Sequence, residues 1–493
     1  MTDLDSTTTD SRDTGAIHSG WTLRVVSYVA ILILVNVMVD SVVAAPTFVL
    51  PHLARAFDTN QFAWIGSSAM LAGAMWSPLL GKSADVHGKR RVLVITLLVA
   101  ALGGVVCLAA PHLAVFVLGR LLQGAAVAAL FLSIAIIRDL CVPKFSMVVT
   151  GVVTAGSAVF GIVTPFVLEP AIEVFGWRSV FVISASFAVA AALLTRLVVP
   201  DTRRRTPGTV DVRGALVLGG GMAGVLGYIS LGQVFGWAGA VSLLVLAAGL
   251  AALVYWFAVL SRGREPIIDI RGISRTLGLG LLVVVMGTGA YQSVLQLFSI
   301  LVETSPDDGL GYGLESPLAL GLMFGVPSIG IALGGVGAGA IATRVGPAWC
   351  LAVGILTGTT GTALMYLGDG PGNLAVAVPA SFLLSLTAGN LVTSGFNLAS
   401  VLAPRERQAT VSGLVMVMVA IASVTMNFVG SAILGGTAVV ADGETVNSAT
   451  GIYAYIANVG GVFVLAAIPA VLLVRRMPGR APADRETSSL SHL

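Results

Sequence analysis

Charge is what this sequence lacks most. Only 10% of its residues are Asp, Glu, Lys or Arg, and the mean hydropathy is +0.95. A soluble globule uses about a quarter charged residues, so 493 residues with so few cannot clothe a water-facing surface. Lysine is nearly missing. Lys82, Lys89 and Lys144 stand against 24 arginines and 59 glycines, the bias of GC-rich coding, which points to a bacterial source. Cysteine is scarce and scattered: Cys107, Cys141 and Cys350 fall in or beside apolar runs at separations that match no metal or redox spacing. They read as small apolar fillers, and no disulfide framework is implied. Nucleotide-binding loops are missing too. The string GKS at 81–83 has Trp76 where a phosphate loop needs glycine, and GAGAIA at 337–342 follows no strand. Without an ATP site, any uphill work must draw on an ion gradient. No catalytic residue, cofactor, metal or nucleic-acid contact is expected.

Long apolar runs are what the chain has instead. Fourteen can be traced, near 24–48, 62–80, 92–110, 113–137, 147–169, 178–199, 214–233, 238–260, 277–302, 317–341, 348–367, 374–401, 409–434 and 452–474. Most are long enough to cross a bilayer of about 30 Å as a helix. The first run is too long for the core of a cleavable signal, so the polar start with Asp3, Asp5, Asp10 and Asp13 stays as a tail. With the N-terminus in the cytoplasm, all but three of the 27 Lys and Arg lie inside, the exceptions being Arg55, Arg178 and Arg120. That satisfies the positive-inside rule, while acid collects outside in ETSPDDGLGYGLESP at 303–317. Both termini are therefore expected in the cytoplasm of a multi-pass plasma-membrane protein. Reporters fused at the N-terminus and after Arg476 should both be active inside the cell; external activity of either one contradicts the fourteen-span count.

Between the second and third runs lies GKSADVHGKRR at 81–91, expected as a short loop with five charged side chains and a histidine. Gly81, Asp85, Gly88, Lys89, Arg90 and Arg91 fall on the loop signature of the major facilitator superfamily, which the chain resembles. Gly339, Thr343 and Gly346 repeat the spacing of Gly81, Asp85 and Gly88 in the second half. The expected fold is all-α and membrane-embedded: a tail at 1–22, a six-helix bundle at 23–200, a linker with two inserted helices at 201–275, a second bundle at 276–475 and a tail at 476–493. In the linker, Ile267, Ile268 and Ile270 suit a membrane surface, with Arg264, Arg271 and Arg275 toward lipid phosphates.

Further phrases narrow the likeness. FVLPHLARAF at 48–57, LGRLLQG at 118–124, FGWRSVF at 175–181, REPIIDIR at 264–271 and ATVSG at 409–413 resemble the fourteen-helix drug:proton antiporter family. That resemblance implies proton-coupled multidrug efflux by a monomer carrying an amphipathic or cationic small molecule, with protons and membrane lipids as its other partners. Its helix-five motif is only partly kept: Gly156, Gly161 and Pro165 remain, but Leu168 and Glu169 replace a glycine pair. The alternatives are a facilitator or proton-coupled importer of a small metabolite, and a membrane sensor or lipid-handling protein.

Intramembrane charge is costly, about 2.5 to 3.5 kcal/mol at mid-bilayer on insertion scales, and so marks function. Two charges stand clearly inside runs, Asp40 in the first and Arg120 in the fourth, each about 12 Å below the outer surface. Asp40 is the expected proton carrier and Arg120 the cation that keeps it ionised until substrate or a conformational change separates them. A purely structural buried pair is the bland alternative. The resemblance implies that Asp85 is a cytoplasmic latch to a helix N-terminus in the other half, with Arg405 or Arg407 near by. Asn36, Gln123, Tyr291, Gln292, Gln296 and Asn397 are substrate-cavity candidates, against interhelical hydrogen bonding as the alternative.

Overall fold

A computed structural model describes residues 18–49, 53, 56–57, 62–201, 210–260, 274–304, 310–313, 325–403, 408–437, 439–441 and 444–477. The linker segment at 264–271, Arg405 and Arg407 lie outside them. The first half contains α1 (Leu23–Phe48), α2 (Phe62–His87), α3 (Lys89–Leu108), α4 (Leu113–Gln123), α5 (Val127–Leu140), α6 (Pro143–Thr154), α7 (Ser157–Phe175) and α8 (Ser179–Val198). A 3-10 turn at Gly124–Ala126 joins α4 to α5. Next come α9 (Val212–Phe235) and α10 (Ala240–Ala258), then α11 (Arg275–Glu303), α12 (Val326–Val345), α13 (Pro347–Leu367), α14 (Leu374–Leu402), α15 (Gln408–Thr437) and α16 (Ala449–Arg476). A small antiparallel pair, β1 (Val439–Ala441) and β2 (Glu444–Val446), connects the last two helices.

Eleven stretches among the described residues are long and apolar enough to cross a membrane. The other three apolar runs are also helical. Run 62–80 lies in α2 and run 214–233 in α9. Run 147–169 is not one continuous helix: Ala155 and Gly156 interrupt it between α6 and α7. Sharp reversals fall where only glycine is comfortable. Gly88 between α2 and α3 has φ 101°, and Gly346 at the matching junction of α12 and α13 has φ 85°. The repeated spacing thus marks two equivalent backbone corners.

In the first half, α3 packs on α4 and α8, and α1 on α5 and α8; in the second, α14 packs on α12 and α13, and α11 on α15 and α16. The intervening pair α9–α10 is held by backbone approach, since a methyl on Gly224 would lie 2.7 Å from Gly249 Cα. It rests against both halves: Ala215, Leu218, Met222 and Trp256 cluster with Val417 and Ala420 of α15, beside Leu79 of α2. Ahead of α1, the His18 N–H donates to the Leu140 carbonyl at 2.8 Å and its carbonyl accepts from Val142 N–H at 2.9 Å. This ties the start of the described chain to the α5–α6 turn, at the end of the molecule that carries residues 81–91, which are not the loop expected: 81–87 finish α2, 89–91 begin α3, and only Gly88 separates them.

Candidate functional site

The two halves meet along a seam at that same end. The first N–H groups of α15 have no partner within their own helix, and Asp85 at the end of α2 supplies one. Its carboxylate accepts from Ala409 N–H at 3.2 Å, Thr410 N–H at 3.0 Å and the Thr410 hydroxyl at 2.7 Å. Gly81 lets the helices close, because a methyl there would sit 3.0 Å from the Ala409 carbonyl oxygen. Burial pushes the Asp85 carboxyl above its ordinary value; the Thr410 hydrogen bonds, the Lys89 charge and the Ala409 N–H pull against that rise. Lys89 is itself buried, and its Nζ meets Asp139 of α5 at 2.6 Å. Arg90 donates to the Val199 carbonyl at 3.1 Å, while Arg91 and His87 are exposed.

Further along the seam, Arg138 Nη2 of α5 donates to the Ser400 carbonyl of α14 at 2.5 Å, and its Nη1 donates to Ser146 Oγ at 3.2 Å. The hydroxyls of Thr154 and Thr393 lie 2.5 Å apart across the halves. Between α6 and α12 the contact is backbone to backbone: a methyl on Gly151 would come 2.5 Å from the Gly335 carbonyl oxygen, and one on Gly339 2.7 Å from that of Met147. The glycine run at 334–340 thus serves close helix approach.

Deeper in the first half, Arg120 is completely buried. Its Nη1 donates to the Val42 carbonyl of α1 at 2.6 Å and to Gln123 Oε1 at 2.8 Å. The guanidinium therefore reaches α1 two residues beyond Asp40, which is half-buried on the same helix. Asn36, one turn before Asp40, donates through Nδ2 to the Val153 carbonyl at 2.9 Å, just ahead of the break at Ala155 and Gly156. In a regular helix that carbonyl would accept from residue 157; here it accepts from Gly156 N–H at 3.1 Å, and the Asn36 amide is a second donor to it.

The sequence of residues 29–426 matches the family described as Major Facilitator Superfamily. The chain belongs to that superfamily. Among superfamily relatives, a multidrug resistance protein B homolog of Mycobacterium tuberculosis is 28% identical over 333 residues, 66% of this chain. The match spans only 59% of that relative's length. The puromycin resistance protein of Streptomyces alboniger is 28% identical over 459 residues, covering 88% of this chain and 87% of the relative. The crystal structure of the human organic anion transporter MFSD10 superposes with a TM-score of 0.64 over 91% of this chain and 99% of that one, at 18% identity. The superfamily consists of transporters rather than enzymes, and this member is a multi-span membrane protein.

Within this superfamily frame the remaining cavity candidates separate. Gln123 and Asn36 are both buried and hydrogen-bonded to protein groups. Tyr291 is buried on α11, its hydroxyl facing Ser385 of α14 without a formed hydrogen bond among the described residues. Gln292 and Gln296 are half-buried one turn apart on the same helix. Asn397 is fully buried on α14, and its amide makes no hydrogen bond within the described residues. The side chain of Pro165 lies outside the described residues; Gly156 abuts Ile33 of α1, and Gly161 is half-buried. Sequence reasoning missed Asp139, Arg138, Thr154, Thr393 and Thr410. Only the adjacent Arg138 and Asp139 at the end of an otherwise apolar run carried a visible signal.

Proposed function

We propose that this chain is a fourteen-span, proton-coupled exporter of drugs or hydrophobic natural products, with both termini in the cytoplasm. The two halves rock about a central site, and the seam at the α2–α3 corner closes when the outer face opens. The observation that carries the proton coupling is Arg120, a fully buried cation fixed to the α1 backbone two residues from the Asp40 position. An ionisable group at that depth is expensive unless it works. The multidrug and puromycin resistance relatives support export as the direction. Import of a small metabolite is the second reading, favoured by the partial helix-five motif in which Leu168 and Glu169 replace glycines. Accumulation of ethidium and a panel of antibiotics, measured with and without a protonophore in cells expressing the protein, separates the two. Export gives low accumulation that rises when the gradient collapses; import gives gradient-driven uptake.

Asp85 has the role of a latch in this reading. Three donors converge on its two oxygens, and an asparagine would turn an NH2 group toward at least one of them. Asp85→Asn should slow ethidium flux several-fold to about tenfold, the size expected when a donor is turned toward donors at a buried site, with ethidium affinity unchanged. Wild-type flux in the variant removes the latch.

The pH dependence of the latch follows from its burial. The closed arrangement raises the affinity of Asp85 for a proton relative to an open, hydrated one. Acidification below the raised value and toward the ordinary 3.8 therefore favours closure, and that bias disappears at pH values where both states are ionised. Spin labels on the cytoplasmic ends of α2 and α15 should move closer as this face is acidified. An unchanged distance in wild type, or an equal change in Asp85→Asn, contradicts the assignment.

A further inference from the structure

Two contacts bracket a stretch of the seam between α6 and α14. At one end Thr154 of α6 meets Thr393 of α14; at the other, Arg138 joins Ser146, near the start of α6, to Ser400, near the end of α14. The two helices therefore run in opposite directions. Thr150 lies one turn from both Ser146 and Thr154, and Asn397 one turn from both Thr393 and Ser400. They stand opposite each other, on the faces that meet across the halves.

Both residues are completely buried. Thr150 Oγ1, and Oδ1 and Nδ2 of Asn397, make no hydrogen bond among the described residues, so no direct bond joins the pair. The polar side chains around them are engaged elsewhere: Ser146 with Arg138 and the Pro143 carbonyl, Thr154 with Thr393 and the Gly151 carbonyl, Ser394 with Asn390. A hydroxyl and a primary amide shut away together are costly, and such groups are satisfied by ordered water where protein offers no partner. The donor set selects the occupant. Nδ2 only donates, Oδ1 only accepts and the hydroxyl does both, so the ligand must itself donate and accept. Water does so. A bare cation would face the amide hydrogens, and neither helix carries a carboxylate to hold it.

We propose that Thr150 and Asn397 form a binding site for water inside the closed seam, and that this water lets the gate part without loss of hydrogen bonds, because the same groups pass to bulk water as the halves separate. The site stands on the geometry alone, and its part in gating rests on the rocking of the halves proposed above.

Two experiments on the full-length protein decide it. In a cryo-EM map of the protein in nanodiscs with the seam closed, at a resolution that shows ordered water, a peak should stand about 2.7 to 3.2 Å from Thr150 Oγ1 and from an amide atom of Asn397. A dry gap, a direct bond between the two side chains, or a peak ringed by oxygens at metal-ligand distance overturns the site. Spin labels on the ends of α2 and α15 then read the ratio of closed to open seam. Thr150→Val, which keeps the shape, leaves the Asn397 amide buried with a poorly held water and should lower that ratio about tenfold. Asn397→Leu should not lower it, because the Thr150 hydroxyl is then free to turn back to the Ser146 carbonyl of its own helix. On the Asn397→Leu background Thr150→Val should add nothing. The gating role is overturned if Thr150→Val leaves the ratio at the wild-type value, or changes it equally with and without Asn397. Labels whose separation never changes overturn the rocking of the halves and the gating role with it, whatever the map shows, so failure of that reading is recognised apart from failure of the site.

Discussion

Asp40→Asn should abolish proton-driven transport of ethidium while exchange of ethidium down its own gradient survives. An asparagine keeps the shape of the side chain and removes the one group on α1 at this depth that can take up a proton. Under the proposed mechanism exchange needs only the rocking of the halves, for which the seam contacts of Asp85, Thr154 and Gly151 are the expected determinants. Arg120→Ala should retain transport at reduced rate with its pH optimum shifted upward, because the cation that favours the ionised carboxylate is gone. The Asp40→Asn/Arg120→Ala double variant should lose no more than the worse single one. Full pH-dependent transport in Asp40→Asn would move the assignment to Glu169 or Glu303 at the outer ends of the fifth and ninth runs.

Gly151→Leu should leave a folded protein that carries almost nothing. The glycine backbones of α6 and α12 touch here, with only 2.5 Å between an added Cβ and the Gly335 carbonyl oxygen, so a larger side chain holds the halves apart. Overpacking of this kind costs about 1 to 3 kcal/mol, enough to shift a two-state equilibrium by one to two orders of magnitude toward the open seam. Each half should keep its own stability, since leucine is a better helix former than glycine. Disulfide formation between Thr154→Cys and Thr393→Cys, whose hydroxyl oxygens are 2.5 Å apart, reports the closed seam and should slow in the Gly151→Leu background. Gly337→Ala is the control: nothing lies within 4 Å of a methyl at that position, and transport should stay at the wild-type rate. Normal flux through Gly151→Leu contradicts the idea that this glycine contact must close in each cycle.

The helices and the corners between them were legible because they are local. Apolar runs announce helices by length alone, and Gly88 and Gly346 announce their turns because positive φ excludes most other residues. Arg120 was legible for a different reason: an ionisable residue in an apolar run is costly enough to stand out. Its company was not. Gln123 looked like any polar residue in a span, and only the fold shows it bonded to the guanidinium and backed by glycines on another helix. Lys89 looked like one of three interchangeable loop cations; burial beside Asp139, fifty residues away, separates it from exposed Arg91. Thr154 and Thr393 are ordinary helix residues until two distant segments meet. The interruption at Ala155 and Gly156 escaped notice because no proline marks it, and the second donor to the Val153 carbonyl, Asn36, comes from a different helix.

The central claim is that a proton gradient drives a small molecule the opposite way. The direct measurement is ethidium movement in proteoliposomes with an imposed pH difference, wild type beside Asp40→Asn. Ethidium should accumulate on the acidic side, with accumulation abolished by a protonophore and absent in Asp40→Asn. Accumulation on the alkaline side, or ethidium movement indifferent to the gradient, contradicts the account.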